Sequence, residues 1–279
     1  NMNIKTNSKE VKKGDVFVAL PGINSDGHDY IEDAIDNGAS YIICEKGSYS
    51  VPYMIVPSTQ EFIKNYVDYY NNIINEICTI GITGTNGKTT SCFLIYELLK
   101  LLNIKCAYIG TLGFYIDEKV RELNNTTPDI LTLYKLLKEC KDNNVKVLVM
   151  EVSSHALEMN RVYGFKFDYA VFTNITKDHL DFHLDMNNYL NSKVKLFNMI
   201  KPNGVGIVNI DDNNSNKFKY KNLITYGFKN SNFKIISYKL FLNKIIYKFK
   251  HNNKKYKVKI NVPGKYNIYN SIIGIIPIN

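Results

Sequence analysis

The chain has 279 residues, 45% of them hydrophobic, and a formal net charge of +9. This length suffices for two domains with their own cores. The sequence has neither an apolar run of ~20 residues nor a signal-peptide pattern, which favours a cytoplasmic location without a membrane partner.

Residues 1–76 are expected to form a small α/β domain that ends in a polar stretch. Short apolar runs and helical spacing predict strands at 16–20, 41–44 and 54–56 and helices at 30–37 and 59–72 in this domain.

The five cysteines of the whole chain are scattered without a close pair, which favours neither a zinc site nor a redox pair.

The run Ile80–Thr90 lies between an apolar strand candidate and a helix with regularly spaced apolar residues. Glycines in such a turn let backbone N–H groups close around an anion, and the helix N-terminus adds partial positive charge. Lys88 would reach the terminal phosphates, and the Thr89 hydroxyl would hold a Mg²⁺ ion. We interpret the run as a P-loop that binds the phosphates of a nucleotide, with binding residues Gly84, Thr85, Asn86, Gly87, Lys88, Thr89 and Thr90.

From residue 77 onward, strands alternate with helices, which predicts a mainly parallel, doubly wound sheet. Strands are predicted at 105–110, 145–150, 169–174 and 205–210, followed by antiparallel hairpins over 223–262. Lysines crowd into the segment 217–259, where they alternate with tyrosine, phenylalanine and isoleucine. We interpret this segment as a solvated sheet face, with no nucleic-acid partner.

Polar residues follow several of the predicted strands. Glu151 ends one strand beside the P-loop strand and can reach its magnesium. The stretch Asn125–Asp129 opens a helix, with Thr127 at the cap and Pro128 in the first turn. The segment 175–183 contains two histidines and two aspartates, but no thiolate favours zinc there.

The sequence Gly–Thr–Asn–Gly–Lys–Thr–Thr at 84–90 resembles the P-loop sequence of the Mur ligases and of their folylpolyglutamate synthase relatives. The Mur ligases are the ATP-dependent amide-forming enzymes of cell-wall synthesis. The stretches around 125–128 and 151–157 are similar to the MurE type. This resemblance implies an N-terminal UDP-substrate-binding domain over 1–76 and a central ATP-binding domain over 77–279. The central domain would be incomplete at its C-terminus, and the C-terminal amino-acid-binding domain would be absent.

Substrate-binding residues follow from the same resemblance. Asn7–Ser8–Lys9 stands where the family usually has Asp–Ser–Arg, so Ser8 is expected to contact the nucleotide, as are Asn24 and Ser25. Asn125, Thr126 and Thr127 are expected to contact the muramoyl-peptide, although helix capping is the competing interpretation. Ser153 and Arg161 complete the substrate set, since the arginine fork suits a carboxylate or phosphate.

The resemblance also implies metal and catalytic residues. Magnesium would be held by Thr89, Glu151 and His179, and by Lys193 after carbamylation of its amine by CO₂. A solvated helix lysine is the competing interpretation of Lys193. Lys88, Lys193 and His179 form the expected catalytic set, and Asn267 would approach the adenine.

The implied reaction is phosphorylation of a substrate carboxylate by ATP, followed by attack of an amino acid's amine on the acyl phosphate. The substrate would be UDP-N-acetylmuramoyl-L-alanyl-D-glutamate, the product would gain the third residue of the stem peptide, and the enzyme would be a monomer. Two alternatives stay open. One is another Mur-type or folylpolyglutamate-synthase-like ligase, and the other is a binding module without turnover.

Overall fold

The computed structural model describes residues 4–22, 25–68, 72–158, 161–162, 164–176 and 186–278. The predicted α/β class with mostly parallel sheets is confirmed. The chain divides into two compact units, one of Asn1–Asn72 with Asp129–Leu136 and one of Ile73–Pro128 with Leu137–Asn279.

The elements alternate as the sequence indicates, with short 3₁₀ helices between them. The described α-helices are α1 (Ile31–Asp36), α2 (Thr59–Asp68), α3 (Asn72–Glu76), α4 (Lys88–Leu101), α5 (Ile130–Asp142), α6 (Ser154–Glu158), α7 (Met186–Val194) and α8 (Tyr266–Ile275). The strands are β1 (Ile4–Lys5), β2 (Val16–Val18), β3 (Tyr41–Cys44), β4 (Tyr53–Ile55), β5 (Cys78–Thr83), β6 (Cys106–Gly110), β7 (Gly113–Ile116), β8 (Glu118–Arg121), β9 (Val147–Glu151), β10 (Phe167–Phe172), β11 (Ile200–Asn209), β12 (Leu223–Gly227), β13 (Phe233–Leu240), β14 (Ile245–His251) and β15 (Lys254–Ile260).

The first unit contains a four-stranded parallel sheet in the order β1-β2-β3-β4. Its buried cluster includes Phe17 and Ile42 from neighbouring strands. His28 is a structural residue here, because its Nε2 accepts a hydrogen bond from the Glu45 backbone N–H at 2.8 Å. The Glu45 carboxylate in turn accepts from the backbone N–H of Thr59 at the start of α2.

The second unit contains an eleven-stranded sheet in the order β15-β14-β13-β12-β11-β10-β5-β9-β6-β7-β8. The P-loop strand β5 lies in its interior, paired in parallel with β9 and β10. Because parallel strands end at the same edge of a sheet, the residues that follow β5, β6, β9 and β10 are brought together. This edge carries the candidate site.

Both ends of the long sheet differ from the predicted pattern. The sequence predicts antiparallel pairing throughout 223–262, but β12 pairs in parallel with β11 and β13, and the antiparallel part is β13–β15. Period-two spacing shows which residues share a strand face, but it does not show the direction of the neighbouring strand. The antiparallel hairpin β7–β8 beside β6 was not predicted.

No helix among the described residues is long and apolar enough to cross a membrane.

Candidate nucleotide and substrate site

The P-loop is the turn of residues 84–87 between β5 and α4. Gly84 and Gly87 have φ angles of +150° and +85°, which side-chain-bearing residues rarely adopt. A Cβ on Gly84 would lie 1.8 Å from the Thr173 hydroxyl oxygen, and one on Gly87 would lie 2.4 Å from the side-chain oxygen of Asn270. Conformation and space therefore both require glycine at these two positions.

Residues that follow β10 hold the loop in place. The Thr173 hydroxyl donates to the Asn86 carbonyl at 2.7 Å. The Asn174 side chain accepts from the Asn86 N–H at 3.0 Å and donates to its carbonyl at 3.0 Å. Thr173 and Asn174 were not among the predicted site residues, although their place after a strand beside β5 could have indicated them.

Two lysine amines meet at one carbonyl of the loop. Lys88 Nζ donates to the carbonyl oxygens of Gly84 and Thr85 at 2.8 and 3.0 Å. Lys193, which is only 1% exposed, donates to the same Gly84 carbonyl at 3.1 Å, and its amine lies 4.2 Å from the centre of the Tyr189 ring. The two Nζ atoms are thus less than about 6 Å apart. Two like charges so close together repel, and this favours an anion between or beside them.

Glu151 is fully buried at the end of β9 and accepts hydrogen bonds on both carboxylate oxygens. Oε1 accepts from the Tyr108 hydroxyl at 2.6 Å and the Thr111 N–H at 2.9 Å. Oε2 accepts from the hydroxyls of Thr89 at 2.8 Å and Thr111 at 3.2 Å. The sequence-predicted pair Thr89 and Glu151 is therefore in direct contact, while Tyr108 and Thr111 were missed.

Burial raises the pKa of the Tyr108 phenol, and the nearby Glu151 charge raises this pKa further. Tyr108 therefore stays protonated over the physiological range and acts as a donor to Glu151. A Cβ on Gly110 would lie 2.2 Å from both Glu151 Oε1 and the Tyr108 hydroxyl oxygen, so glycine there leaves room for this contact.

The predicted substrate residues lie beside Glu151. The Thr127 hydroxyl donates to the Glu151 carbonyl at 2.8 Å and accepts from the Ser153 N–H at 3.0 Å. Arg161 donates to the Thr127 carbonyl at 3.4 Å. The Thr126 hydroxyl lies 3.1 Å from that of Thr111, next to the carboxylate. Thr126, Thr127, Ser153 and Arg161 therefore form one group.

The predicted helix cap at Thr127 is wrong. Helix α5 begins at Ile130, and the Asp129 carboxylate accepts from the Thr132 N–H at 3.1 Å in the capping arrangement. The Thr127 hydroxyl is instead used by Glu151 and Ser153. Asn125, the remaining member of the predicted stretch, is exposed just before this group.

Helix α8 brings two asparagines toward the loop. The side chain of Asn270 donates to that of Asn267 at 2.9 Å and accepts from the Ser91 hydroxyl at 3.3 Å. Asn270 therefore lies nearer the P-loop than the predicted Asn267, which donates to the Pro263 carbonyl at 2.7 Å. The spacing of three residues, which places both on one helix face, could have indicated Asn270.

The other predicted residues either belong to the first unit or are not described. His179 and Asn24 lie outside the described residues. In the first unit, Ser8 is buried in a 3₁₀ turn and Ser25 is exposed, and the described residues show no hydrogen bond between them. No cluster of three or more histidine, cysteine or acidic side chains that could hold a metal occurs in the described part of the chain.

Comparisons with known proteins give the family. Residues 82–277 match the Mur ligase middle domain, and residues 2–76 match the family described as "Mur ligase family, catalytic domain". Two relatives are named UDP-N-acetylmuramoyl-L-alanyl-D-glutamate--2,6-diaminopimelate ligase. The one from Clostridium botulinum is 41% identical over 98% of this chain and 58% of its own length. The one from Aquifex aeolicus is 37% identical over 96% of this chain and 56% of its own length.

Solved structures agree with this assignment. A structure with the same ligase name has a TM-score of 0.81 and 26% identity, covering 99% of this chain and 58% of that one. MurF ligase from Thermotoga maritima in complex with ADP has a TM-score of 0.66 and 22% identity, covering 99% and 62%, which shows the shared fold. This chain spans somewhat more than half the length of the relatives it matches. From the extent of the middle-domain match, the chain belongs to the Mur ligase family.

Proposed function

We propose that the chain carries the ATP-binding and UDP-substrate-binding parts of a ligase that extends UDP-N-acetylmuramoyl-L-alanyl-D-glutamate by one amino acid. The observation that carries the proposal is the meeting of Lys88, Lys193, Thr89 and Glu151 at one P-loop. The printed names of the relatives support 2,6-diaminopimelate as the added residue.

Lys88 and the loop amides would bind the ATP phosphates. Lys88 now donates to two backbone carbonyls, and phosphate oxygens are stronger acceptors because they are charged. The N-terminus of α4 would add its partial positive charge. The Thermotoga maritima neighbour is in complex with ADP, which supports a nucleotide ligand for this fold.

The Thr89 hydroxyl and the Glu151 carboxylate fit a magnesium ion, because they are hard oxygen donors in direct contact at 2.8 Å. These two residues would hold one ion, and His179 with carbamylated Lys193 would hold a second. Bound Mg²⁺ would supply the positive charge that lets a substrate carboxylate approach the anionic phosphates.

Carbamylation of Lys193 would change the charge balance of the loop. The neutral amine adds CO₂ and loses one proton, which gives a carbamate with anionic oxygens. The change would replace repulsion between Lys193 and the nearby Lys88 amine with attraction. It would also turn a cation into an oxygen ligand.

The group of Thr126, Thr127, Ser153 and Arg161 would position the muramoyl-peptide next to the phosphates, since it lies against Glu151. Ser8, Asn24 and Ser25 would contact the uridine nucleotide. We further propose a cytoplasmic monomer as the working form.

Two other functions compete with this proposal. A MurF-like or folylpolyglutamate-synthase-like ligase shares the fold, but the neighbours with those names have lower TM-scores and identities than the diaminopimelate ligase structure. A binding module without turnover is the second, and only a turnover measurement distinguishes it from a ligase.

Calorimetry with UDP-N-acetylmuramoyl-L-alanyl-D-glutamate and with Mg-ATP, alongside phosphate release after addition of diaminopimelate, separates these functions. We expect both ligands to bind and phosphate release to depend on the amino acid. Binding without turnover would favour the binding module, and failure to bind the UDP compound would remove the MurE-type assignment.

A pair of lysine variants tests the role of the loop. Lys88→Ala should weaken ATP binding at least about tenfold, because it removes a charge-assisted contact. It should leave binding of the UDP compound unchanged. Lys100→Ala, on the exposed part of the same helix, is the matched control and should bind ATP normally. Equal ATP affinity in both variants would contradict the P-loop assignment.

A further inference from the structure

The acidic residues of the chain all lie at or before Asp212, whereas the segment after it is strongly basic. Residues 213–279 contain 14 lysines and no aspartate or glutamate, which gives this segment a charge of +14. Residues 1–212 contain the other 21 basic residues and all 26 acidic ones, so their charge is −5. A bias toward lysine codons would not by itself remove every acidic residue from the segment. Charge asymmetry of this kind is typical of chains that bind a polyanion, such as a nucleic acid or an anionic membrane.

The strand register gathers half of these lysines on one face. Residues that oppose each other in antiparallel strands share a face. Strands β13, β14 and β15 therefore present three rows on the face opposite the buried side chains of β14. The rows are Lys234–Lys250–Lys255, Ser237–Lys248–Lys257 and Lys239–Ile246–Lys259. We call these nine positions, seven of them lysine, the lysine face.

All seven lysines are exposed, and none has an ion-pair partner within the described residues. Like charges directly opposite each other destabilise a sheet, and three such pairs occur here, Lys234–Lys250, Lys250–Lys255 and Lys248–Lys257. Lysines on an edge strand discourage sheet-to-sheet aggregation. That role accounts for β15 but not for the lysines of β13 and β14.

An apolar tip adjoins the lysine face. The turn that joins β13 to β14 begins with Phe241 and Leu242, which are 44% and 99% exposed. Lys239 and Lys244 flank the tip on both sides. Apolar and aromatic residues flanked by lysines are typical of segments that lie at a membrane–water interface.

We propose that the lysine face binds the surface of a lipid bilayer that contains anionic lipids, with Phe241 and Leu242 entering the headgroup region. The charge of the face is complementary to such a surface, and the three paired strands can present all three rows to it together, although the register of β13 shifts between Ile235 and Ser237. Single-stranded nucleic acid fits less well, because none of the nine positions carries an aromatic ring on which a base could stack. The proposal is independent of the ligase function and replaces the sequence-based expectation of no membrane contact.

Vesicle flotation tests the proposal with the full chain. We expect binding to phosphatidylcholine vesicles that contain about a third phosphatidylglycerol, no binding to pure phosphatidylcholine, and loss of binding as salt rises. The triple variant Lys248→Gln/Lys250→Gln/Lys257→Gln should bind roughly 100-fold more weakly, at about fivefold per lysine near an anionic surface.

The matched control is Lys217→Gln/Lys219→Gln/Lys221→Gln, which removes the same charge from exposed positions of the same segment outside the lysine face. It should bind within about threefold of the unchanged chain, because binding depends on the face and not on total charge. Equal losses in the two triple variants would overturn the proposal, as would absence of binding to anionic vesicles.

Leu242→Ser tests the tip, with Leu101→Ser as its control on another exposed leucine. Only Leu242→Ser should weaken vesicle binding, by several-fold. A single-stranded DNA oligonucleotide is added as a competing polyanion. Tighter binding to the oligonucleotide than to anionic vesicles, with no effect of Leu242→Ser on either, would replace the membrane proposal by nucleic-acid binding.

Discussion

Two buried tyrosines near the candidate site differ in whether their hydroxyl makes a hydrogen bond. Tyr108 donates to the Glu151 carboxylate at 2.6 Å, whereas the Tyr96 hydroxyl has no hydrogen-bond partner among the described residues. Their rings pack in the same aromatic cluster with centroids 6.3 Å apart. The pair therefore separates the effect of a hydroxyl that stabilises a buried charge from the effect of one that does not.

Tyr108→Phe should lower the free energy of unfolding by about 1.5–3 kcal/mol, because a buried carboxylate loses a charge-assisted donor. Tyr96→Phe, the matched control, should be neutral or stabilising by up to about 1 kcal/mol, because it removes an unsatisfied buried hydroxyl. Urea unfolding of the two variants measures the difference. Equal destabilisation would show that the Glu151 contact does not carry the effect.

Lys193 gives a second prediction at this scale. In an assay that follows ligation, Lys193→Ala should abolish turnover, and small carboxylates such as acetate should restore part of it by supplying the missing anionic oxygens. Lys195→Ala, two residues further on and exposed in an ion pair with Glu158, should keep its activity. Full activity of Lys193→Ala without added carboxylate would refute the carbamate proposal.

The residue types of the P-loop predicted a phosphate-binding turn, but the glycine at position 81 could not be explained from the sequence. Gly84 and Gly87 have the positive φ angles that a phosphate cradle requires. Gly81, a further glycine inside β5, has a packing cause, because a Cβ there would lie 2.7 Å from the Phe167 ring. Phe167 is distant in sequence, so only the pairing of β5 with β10 explains why residue 81 is glycine.

At the scale of elements, helix α8 determines where Asn267 and Asn270 lie. Its buried face, which includes Ile272 and Ile273, belongs to the same apolar cluster as Ile95 of α4. A Cβ on Gly274 would lie 3.1 Å from a methyl group of Leu98, so the two helices are in close contact. Packing of α8 on α4 therefore positions the asparagines beside the loop.

Ile273→Ala should reduce the free energy of unfolding by about 2–5 kcal/mol, because it leaves a cavity between packed elements. It should also weaken ATP binding, since Asn270 is on the same helix. Tyr266→Ala, at the exposed start of the same helix, should change stability by less than about 0.5 kcal/mol. Chemical denaturation and nucleotide titration measure both effects, and equal stability of the two variants would contradict this account of α8.

The sequence predicted elements better than their pairing. Strand β9 with Glu151 at its end and helix α4 after the P-loop were expected from apolar spacing and position. Hairpin β7–β8 was missed because its turn uses Asp117 at a φ of +62°, a conformation more typical of glycine or asparagine. The parallel direction of β12 was missed because strand direction depends on the chain connection and not on residue alternation.

For the whole molecule, the alternation of strands and helices was enough to predict the α/β class, since it allows few topologies. In such a fold the residues that follow neighbouring parallel strands lie at the same edge of the sheet. The α/β class therefore already predicts that Glu151, Thr111 and Asn174 lie at one edge. Which donors meet which oxygens could not be predicted, because these contacts depend on side-chain packing between strands. Tyr108 shows this, as it reaches Glu151 from inside a strand and not from a strand end.

The reactivity of the five free cysteines shows whether the whole chain is folded. Burial raises the pKa of Cys78 to about 11 and that of Cys140 to about 12, and it also raises the pKa of Cys44, Cys92 and Cys106. Because the thiolate is the reactive form, a thiol with a pKa of about 11 is only ~0.1% reactive at pH 8, against roughly a quarter for an ordinary thiol. The thiol of Cys78 in the native chain should therefore react with Ellman's reagent more than about a hundredfold more slowly than an ordinary thiol, whereas in the unfolded chain all five thiols are counted at once. For Cys78 the rate should rise about tenfold per pH unit toward pH 11, and rapid reaction of this thiol in the native state at pH 8 would contradict its raised pKa.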